Sequence, residues 1–412
     1  MNEETAARRV GHWRYAVLFL PYGLASGFVV VTLAYVLAQS HVPTVAIGGL
    51  VALQLLPQTW KFLYAPVIDC VWTYRRWYVA SAIVTGLFIA ASGFLPMTLA
   101  SLPVLSLLIL LASIASSGCG TATSGLLAHA VPDEEKGRAS GWSQAGNIGG
   151  QGMGGGLALW LAQHAGGMPV AATVTGGICV ACTLALISLK EPSHDHRAPS
   201  LQATAKNVVF DLWGLVRSRL GLLAIVLVLL PIATGAASNL FAAIASDWRA
   251  TADTVALVTG FAGGIASAVG SLLIGYAADR FDRKATYLVA GASAALCAIA
   301  MAILPHTPIV FVALTLLYAV TNGFMYAIFY AVSLEAIGKG AAATKSQLMS
   351  CGANLPIALA TFVEGAVQTR SGSVAMLWAD AGLTLGGIAI FILFALVVRR
   401  VWKQSEPLAI PA

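Results

Sequence analysis

The sequence predicts an all-α membrane protein of twelve transmembrane helices in two six-helix bundles, and three observations carry that prediction. The 412 residues are 58% hydrophobic and only 10% charged, with a mean hydropathy of +0.82; soluble domains carry roughly a quarter charged residues. Apolar stretches recur along the whole chain, each near the ~20 residues that a helix needs to cross a hydrocarbon core. A short loop with an acid followed by a basic pair occurs twice, half a chain apart: Asp69 before Arg75 and Arg76, and Asp279 before Arg283 and Lys284.

The spans read in order as 15–37, 45–66, 78–97, 102–130, 139–163, 169–188, 220–246, 255–275, 286–304, 309–337, 346–369 and 374–398. No small-residue cleavage pattern closes the first and eleven others follow it, so it is expected to be a membrane helix and not a signal peptide. The second runs into the first charged loop, and the third leaves it. The fourth and tenth are long enough to include turns outside the bilayer. The fifth places Gly146, Gly150 and Gly154 four apart on one smooth face that permits close helix approach. No P-loop Lys-Ser/Thr follows that glycine run, so nucleotide binding is rejected. The sixth holds Cys179 and Cys182, expected to pack rather than to bind metal. Residues 189–219 break the hydropathy and divide the chain into bundles at 1–188 and 220–412, with a surface-lying amphipathic segment around Phe210 and Trp213. His194 and His196 in that linker are expected to be solvated. The seventh to twelfth spans repeat the first six, with the second charged loop again after the second span of its half.

Charge sets orientation. With the N-terminus in the cytoplasm, all of the 23 lysines and arginines except Arg249 and Arg370 fall in inside segments, as the positive-inside rule requires. Both termini are therefore expected in the cytoplasm. The net charge of +6 is a topology signal and does not point to nucleic acid. No cysteine falls in an outer loop, so no disulfide framework is expected.

Several residues stand out by chemistry. Asp69 is expected to accept from a helix N-terminus within its own bundle, with Arg75 and Arg76 reaching across the interface; Asp279, Arg283 and Lys284 would act likewise in the second half. Glu335, at the inner end of the tenth span, joins this cytoplasmic gate, and so does Lys61, a charge inside the second span. Glu364, Asp380 and Asp247 are the acids near the outer side of the second half, and Glu364 leads them as a proton-coupling candidate. Arg370 nearby could instead neutralise Glu364 or Asp380. Asn322, Tyr326 and Tyr330 share one helical face. No cluster of catalytic groups, metal-ligand spacing or ring of charge appears, so neither an enzyme nor a channel is expected, and no cofactor or metal.

Tyr22-Gly23-Leu24-Ala25-Ser26-Gly27 in the first span, and Lys61-Phe62-Leu63-Tyr64-Ala65-Pro66-Val67-Ile68-Asp69 in the second, carry a resemblance. Together with the paired loops and the six-plus-six layout, the chain resembles the major facilitator superfamily. Within it the chain resembles the peptide/acetyl-CoA transporter group, which includes AmpG-like muropeptide permeases and related siderophore permeases. The resemblance implies a monomeric inner-membrane carrier that alternates access to a cavity lined by spans 1, 4, 7 and 10. Its cavity candidates are Tyr22, Ser26, Tyr35, Ser117, Thr121, Asn239, Tyr318, Asn322, Tyr326 and Tyr330. The expected partners are a small-molecule substrate, protons and membrane lipid. The expected activity is proton-linked uptake of a muropeptide-, siderophore- or acyl-CoA-like solute, with proton-driven efflux of drugs or metabolites as the alternative.

Overall fold

The computed structural model describes residues 11–189, 210, 213–214, 217–232, 234–251, 254–255, 257–337 and 342–404. Among them seven stretches are long and apolar enough to span a membrane: Trp13–Gln39, Leu102–Ala130, Gly167–Ile187, Leu257–Ala278, Arg283–Ile303, Pro308–Ile337 and Ala343–Arg400. The last holds two spans, because Gly372 (φ 84°, ψ 178°) breaks it.

We name the twelve elements α1 (Trp13–Gln39), α2 (Thr44–Leu55, continuing in short turns to Cys70), α3 (Tyr74–Ser92), α4 (Leu102–Ala130), α5 (Lys136–His164), α6 (Gly167–Ala181, ending in a 3-10 segment), α7 (Arg219–Leu229, then short turns to Trp248), α8 (Leu257–Ala278), α9 (Arg283–Ile303), α10 (Pro308–Ile337), α11 (342–371) and α12 (373–404). Four of these fall short of the apolar criterion for physical reasons. Arg75 and Arg76 dilute α3, and glycines and amides dilute α5. The other two, α2 and α7, are broken rather than continuous.

Proline explains both breaks. Pro57 opens the four-residue turn Pro57–Trp60, Lys61–Leu63 tightens to 3-10, and Pro66 starts the last turn Ala65–Cys70; each proline lacks an N–H for the preceding turn. In α7, Pro231 follows the end of Arg219–Leu229, and Gly235 adopts a left-handed φ of 60° that a side chain would disfavour. The continuous spans expected at 45–66 and 220–246 are thus corrected to broken helices. The surface helix expected within 189–219 lies largely outside the described residues; Phe210 and Trp213 are exposed.

Glycine sets how closely the helices approach. Gly146, Gly150 and Gly154 of α5 meet Ala16, Leu20 and Leu24 of α1, while Gly23 and Gly27 of α1 meet the backbone carbonyls of Asn147 and Gln151. A different face of α5 crosses to the second bundle: Gly141 packs on Ser271 and Gly275, and Gly152 on Gly264 of α8. The fifth span therefore serves two interfaces, one inside its bundle and one between bundles. The second inter-bundle contact joins the later part of α2 to α11.

Candidate functional site

The charged loops lie at one end of the bundles, here called the basic end. Asp69 is 2% exposed and accepts from Ala343 N (3.2 Å), Thr344 N (2.9 Å), Thr344 Oγ1 (2.5 Å) and Tyr74 Oη (2.6 Å). It therefore caps the start of α11, in the opposite bundle, and not a helix of its own bundle as expected. Asp279 mirrors it: its carboxylate accepts from Gly137 N (2.7 Å), Arg138 N (3.2 Å) and Arg138 Nε (2.6 Å) at the start of α5. Orphan N–H groups and the positive helix end favour a carboxylate at each place. Two residues that the sequence reading missed complete the pattern. Lys136 Nζ donates to the Leu334 carbonyl of α10 at 3.0 Å, and Lys345 Nζ to the Ile337 carbonyl at 2.8 Å, where α10 ends. Their signal was their position in the first turn of α5 and α11.

Arg283 pairs with Glu335 at 3.4 Å and reaches the Asp133 carbonyl, and Lys284 lies 3.9 Å from Glu335. Arg75 and Arg76 instead border a shallow hollow with Thr183, Leu186 and Ile187 of their own bundle. Tyr330, expected in the cavity, donates to Ser124 Oγ across the bundles at 2.5 Å and packs edge-on against Phe19, so it belongs to the closed basic end. At that end His12 lies 3.3 Å from Glu135. Burial holds the His12 imidazole below its ordinary pKa, and Glu135 opposes that shift.

Farther in, a second cluster forms at the α2 break. Lys61, expected with the gate, is not paired there: its ammonium lies 5.6 Å from the ring centre of Tyr22. Tyr22 Oη donates to Gln58 Oε1 at 2.7 Å, Tyr64 Oη contacts Ser117 Oγ, and Cys351 Sγ of α11 contacts the Gln58 carbonyl at 3.3 Å. Tyr326 of α10 faces the same group. Both bundles thus contribute to it. Ser26 is half-buried one turn beyond Tyr22. Thr121 spends its hydroxyl on the Ser117 carbonyl of its own helix. Tyr35 is exposed near the far end of α1, where it accepts from Gln39, and so lies away from the cluster.

A third group sits inside the second bundle. Glu364 and Asp380 are 0% and 2% exposed and their side chains face each other. Asp380 accepts from Tyr318 Oη at 3.2 Å and faces the Ala237 backbone at the break in α7. Among the described residues neither oxygen of Glu364 has a hydrogen-bond partner, and no basic side chain pairs with either acid. Arg370 is exposed and does not neutralise them. Asp247 is corrected out of this group: it is exposed and accepts from Ser373 at 2.6 Å, at the turn into α12. Asn322 donates weakly to Ser238 (3.5 Å), and Asn239 to Thr361 (3.1 Å). Tyr318, Asn322, Tyr326 and Tyr330 follow one another at every fourth residue of α10, and so one face of one helix runs from the acid pair past Lys61 to the basic end.

These features define a multi-pass helical membrane protein of two six-helix bundles with polar groups buried within and between them. The sequence matches the family described as Major Facilitator Superfamily over residues 15–361 and again over 223–408, and the chain belongs to that superfamily. No curated protein sequence matches it. Two similar solved structures share the fold. One is the human organic anion transporter MFSD10 (TETRAN), with TM-score 0.70 and 17% identity, covering 93% of this chain and 99% of that one. The other is the proton:xylose symporter XylE bound to 6-bromo-6-deoxy-D-glucose, with TM-score 0.70 and 12% identity, covering 93% and 96%. Members of the superfamily are transporters of small molecules, so the chain is a transporter and not an enzyme.

Proposed function

We propose that the protein is a proton-coupled symporter that imports a polar organic solute, with the Glu364–Asp380 pair carrying the proton. The observation behind this reading is the pair itself: two buried carboxyl groups share one site with no cation among the described residues. Two charges there would repel each other and each would cost several kcal/mol of desolvation, whereas a proton held between them removes the repulsion and supplies the missing hydrogen bond. Tyr318 and the broken α7 touch the same site, so gain or loss of that proton reaches the helices that must move.

The caps at Asp69 and Asp279 are the proposed inner gate. By the positive-inside distribution the basic end faces the cytoplasm of the inner membrane, and the bonds there close that side. The resemblance of Lys61 through Asp69 to the muropeptide and siderophore permease group supports import. Infrared spectroscopy of the purified protein tests the proton carrier. The carbonyl stretch of a protonated carboxylic acid should be present near neutral pH and should weaken in both Glu364→Gln and Asp380→Asn. A spectrum without that band in the unmodified protein refutes the reading.

A further inference from the structure

The α2 break leaves Lys61 buried with no charged counterpart among the described residues. Lys61 is 9% exposed, and its ammonium turns toward Tyr22 rather than toward the basic end. Among the described residues no carboxylate pairs with it and no acceptor hydrogen-bonds it. In the same group Gln58 Oε1 is already taken by Tyr22 Oη at 2.7 Å, and the Gln58 carbonyl meets Cys351 Sγ at 3.3 Å. An ammonium held inside a membrane protein without an acid is costly, and the Tyr22 ring is the aromatic face set against this one. In the same broken stretch of α2, Trp60 and Tyr64 pack edge to face with ring centres 5.8 Å apart.

We propose that Lys61 is the subsite for the anionic group of the transported solute, and that the solute is an organic monoanion with a carboxylate on an apolar or aromatic body. This rests on the reading above that the protein carries an organic solute. One lysine presents a compact point charge and not the planar fork that favours phosphate or paired carboxylates, so it suits a single anionic group. The solute's carboxylate would supply the partner that the empty carrier lacks, and the loaded carrier would be the better satisfied of the two. The flanking rings offer flat faces to the rest of the molecule.

Cys351 gives a direct test, because its thiol lies in the same group, 3.3 Å from the Gln58 carbonyl. In a Cys70→Ser background the remaining cysteines besides Cys351 are buried. The purified protein is labelled with two methanethiosulfonate reagents of similar size, one bearing a sulfonate and one a trimethylammonium group. Lys61 should favour the sulfonate reagent at Cys351 by at least tenfold beyond the two reagents' ratio toward a free thiol, with a rate that saturates because a complex forms first. Lys61→Arg should keep both properties and Lys61→Gln should lose both, each variant retaining the melting profile of its parent. Equal preference in Lys61→Gln and its parent, or a rate linear in reagent throughout, overturns the proposal. If Lys61→Gln does not fold, the comparison of the two reagents in the parent protein decides. Labelling needs no proton gradient, so its failure would sink the subsite while leaving proton coupling to stand on the acid pair.

Discussion

Replacing Asp69 by Asn should release the basic end. The carboxylate accepts three bonds from the start of α11 and a fourth from Tyr74, all between 2.5 and 3.2 Å, and it is 2% exposed. Hydrogen bonds to a charged group are worth roughly 1.5–3 kcal/mol each. Asn keeps one acceptor oxygen but loses the charge and turns an N–H₂ toward donors. A loss of about 3 kcal/mol across the interface is a conservative sum, and at about 1.4 kcal/mol per tenfold it shifts the equilibrium more than a hundredfold toward the conformation open at that end. Spin labels at the exposed positions Glu134 and Arg280, one in each bundle, report the change as a distance distribution. The parent protein should show one short distance and Asp69→Asn a majority of longer ones, with Asp279→Asn acting in the same direction through the mirror-image cap. An unchanged distribution in a folded Asp69→Asn protein would refute the idea that this carboxylate holds the bundles together.

Other expectations follow from neighbouring features. Gly154→Leu should cost several kcal/mol or prevent folding, since Gly154 meets the Leu24 backbone inside one bundle. Gly264→Leu, which crowds Gly152 between bundles, should leave the first bundle intact and slow exchange between conformations; melting curves and label distances separate the two effects. Because burial holds His12 below its ordinary pKa, the neutral ring belongs to the folded state. Its contribution is complete above the ordinary imidazole pKa of about 6.5 and is lost as pH falls through the lower native value. Melting temperature should accordingly drop more steeply between about pH 7.5 and about pH 5 in the parent than in His12→Gln. A thermal-shift series of indole-3-acetate, indole-3-acetamide and tryptamine should show stabilisation by the acid alone.

The fold was legible because twelve apolar stretches, a basic-residue asymmetry and a repeated loop are all encoded locally. The broken helices were not. Pro57, Pro66, Pro231 and Gly235 were visible, but whether a proline kinks a membrane helix or ends it depends on the neighbours that take up the freed groups. Asp380 faces the Ala237 backbone at one such break, and that approach joins residues far apart in the chain. Asp69 shows the same limit. Its need for a helix N-terminus could be inferred from its type and place, yet which helix supplied it was decided by how the bundles dock. Glu364 and Asp380 could each be picked as apolar-span acids, while Asp247, equally acidic, proved to be exposed at the last turn of its helix. The face of α10 was readable as a spacing, but spacing alone placed Tyr330 with the cavity instead of against Ser124. Lys61 was read as part of the gate because it lies two turns from Asp69; only the break in α2 and the ring of Tyr22 separate it from that group.

Reconstituted vesicles give the most direct test of proton coupling. With a solute identified by thermal shift, gradient-driven accumulation and counterflow exchange are measured side by side in the parent and in Glu364→Gln. The account predicts that Glu364→Gln abolishes accumulation driven by a proton gradient and retains exchange. Accumulation that survives in the variant would contradict it.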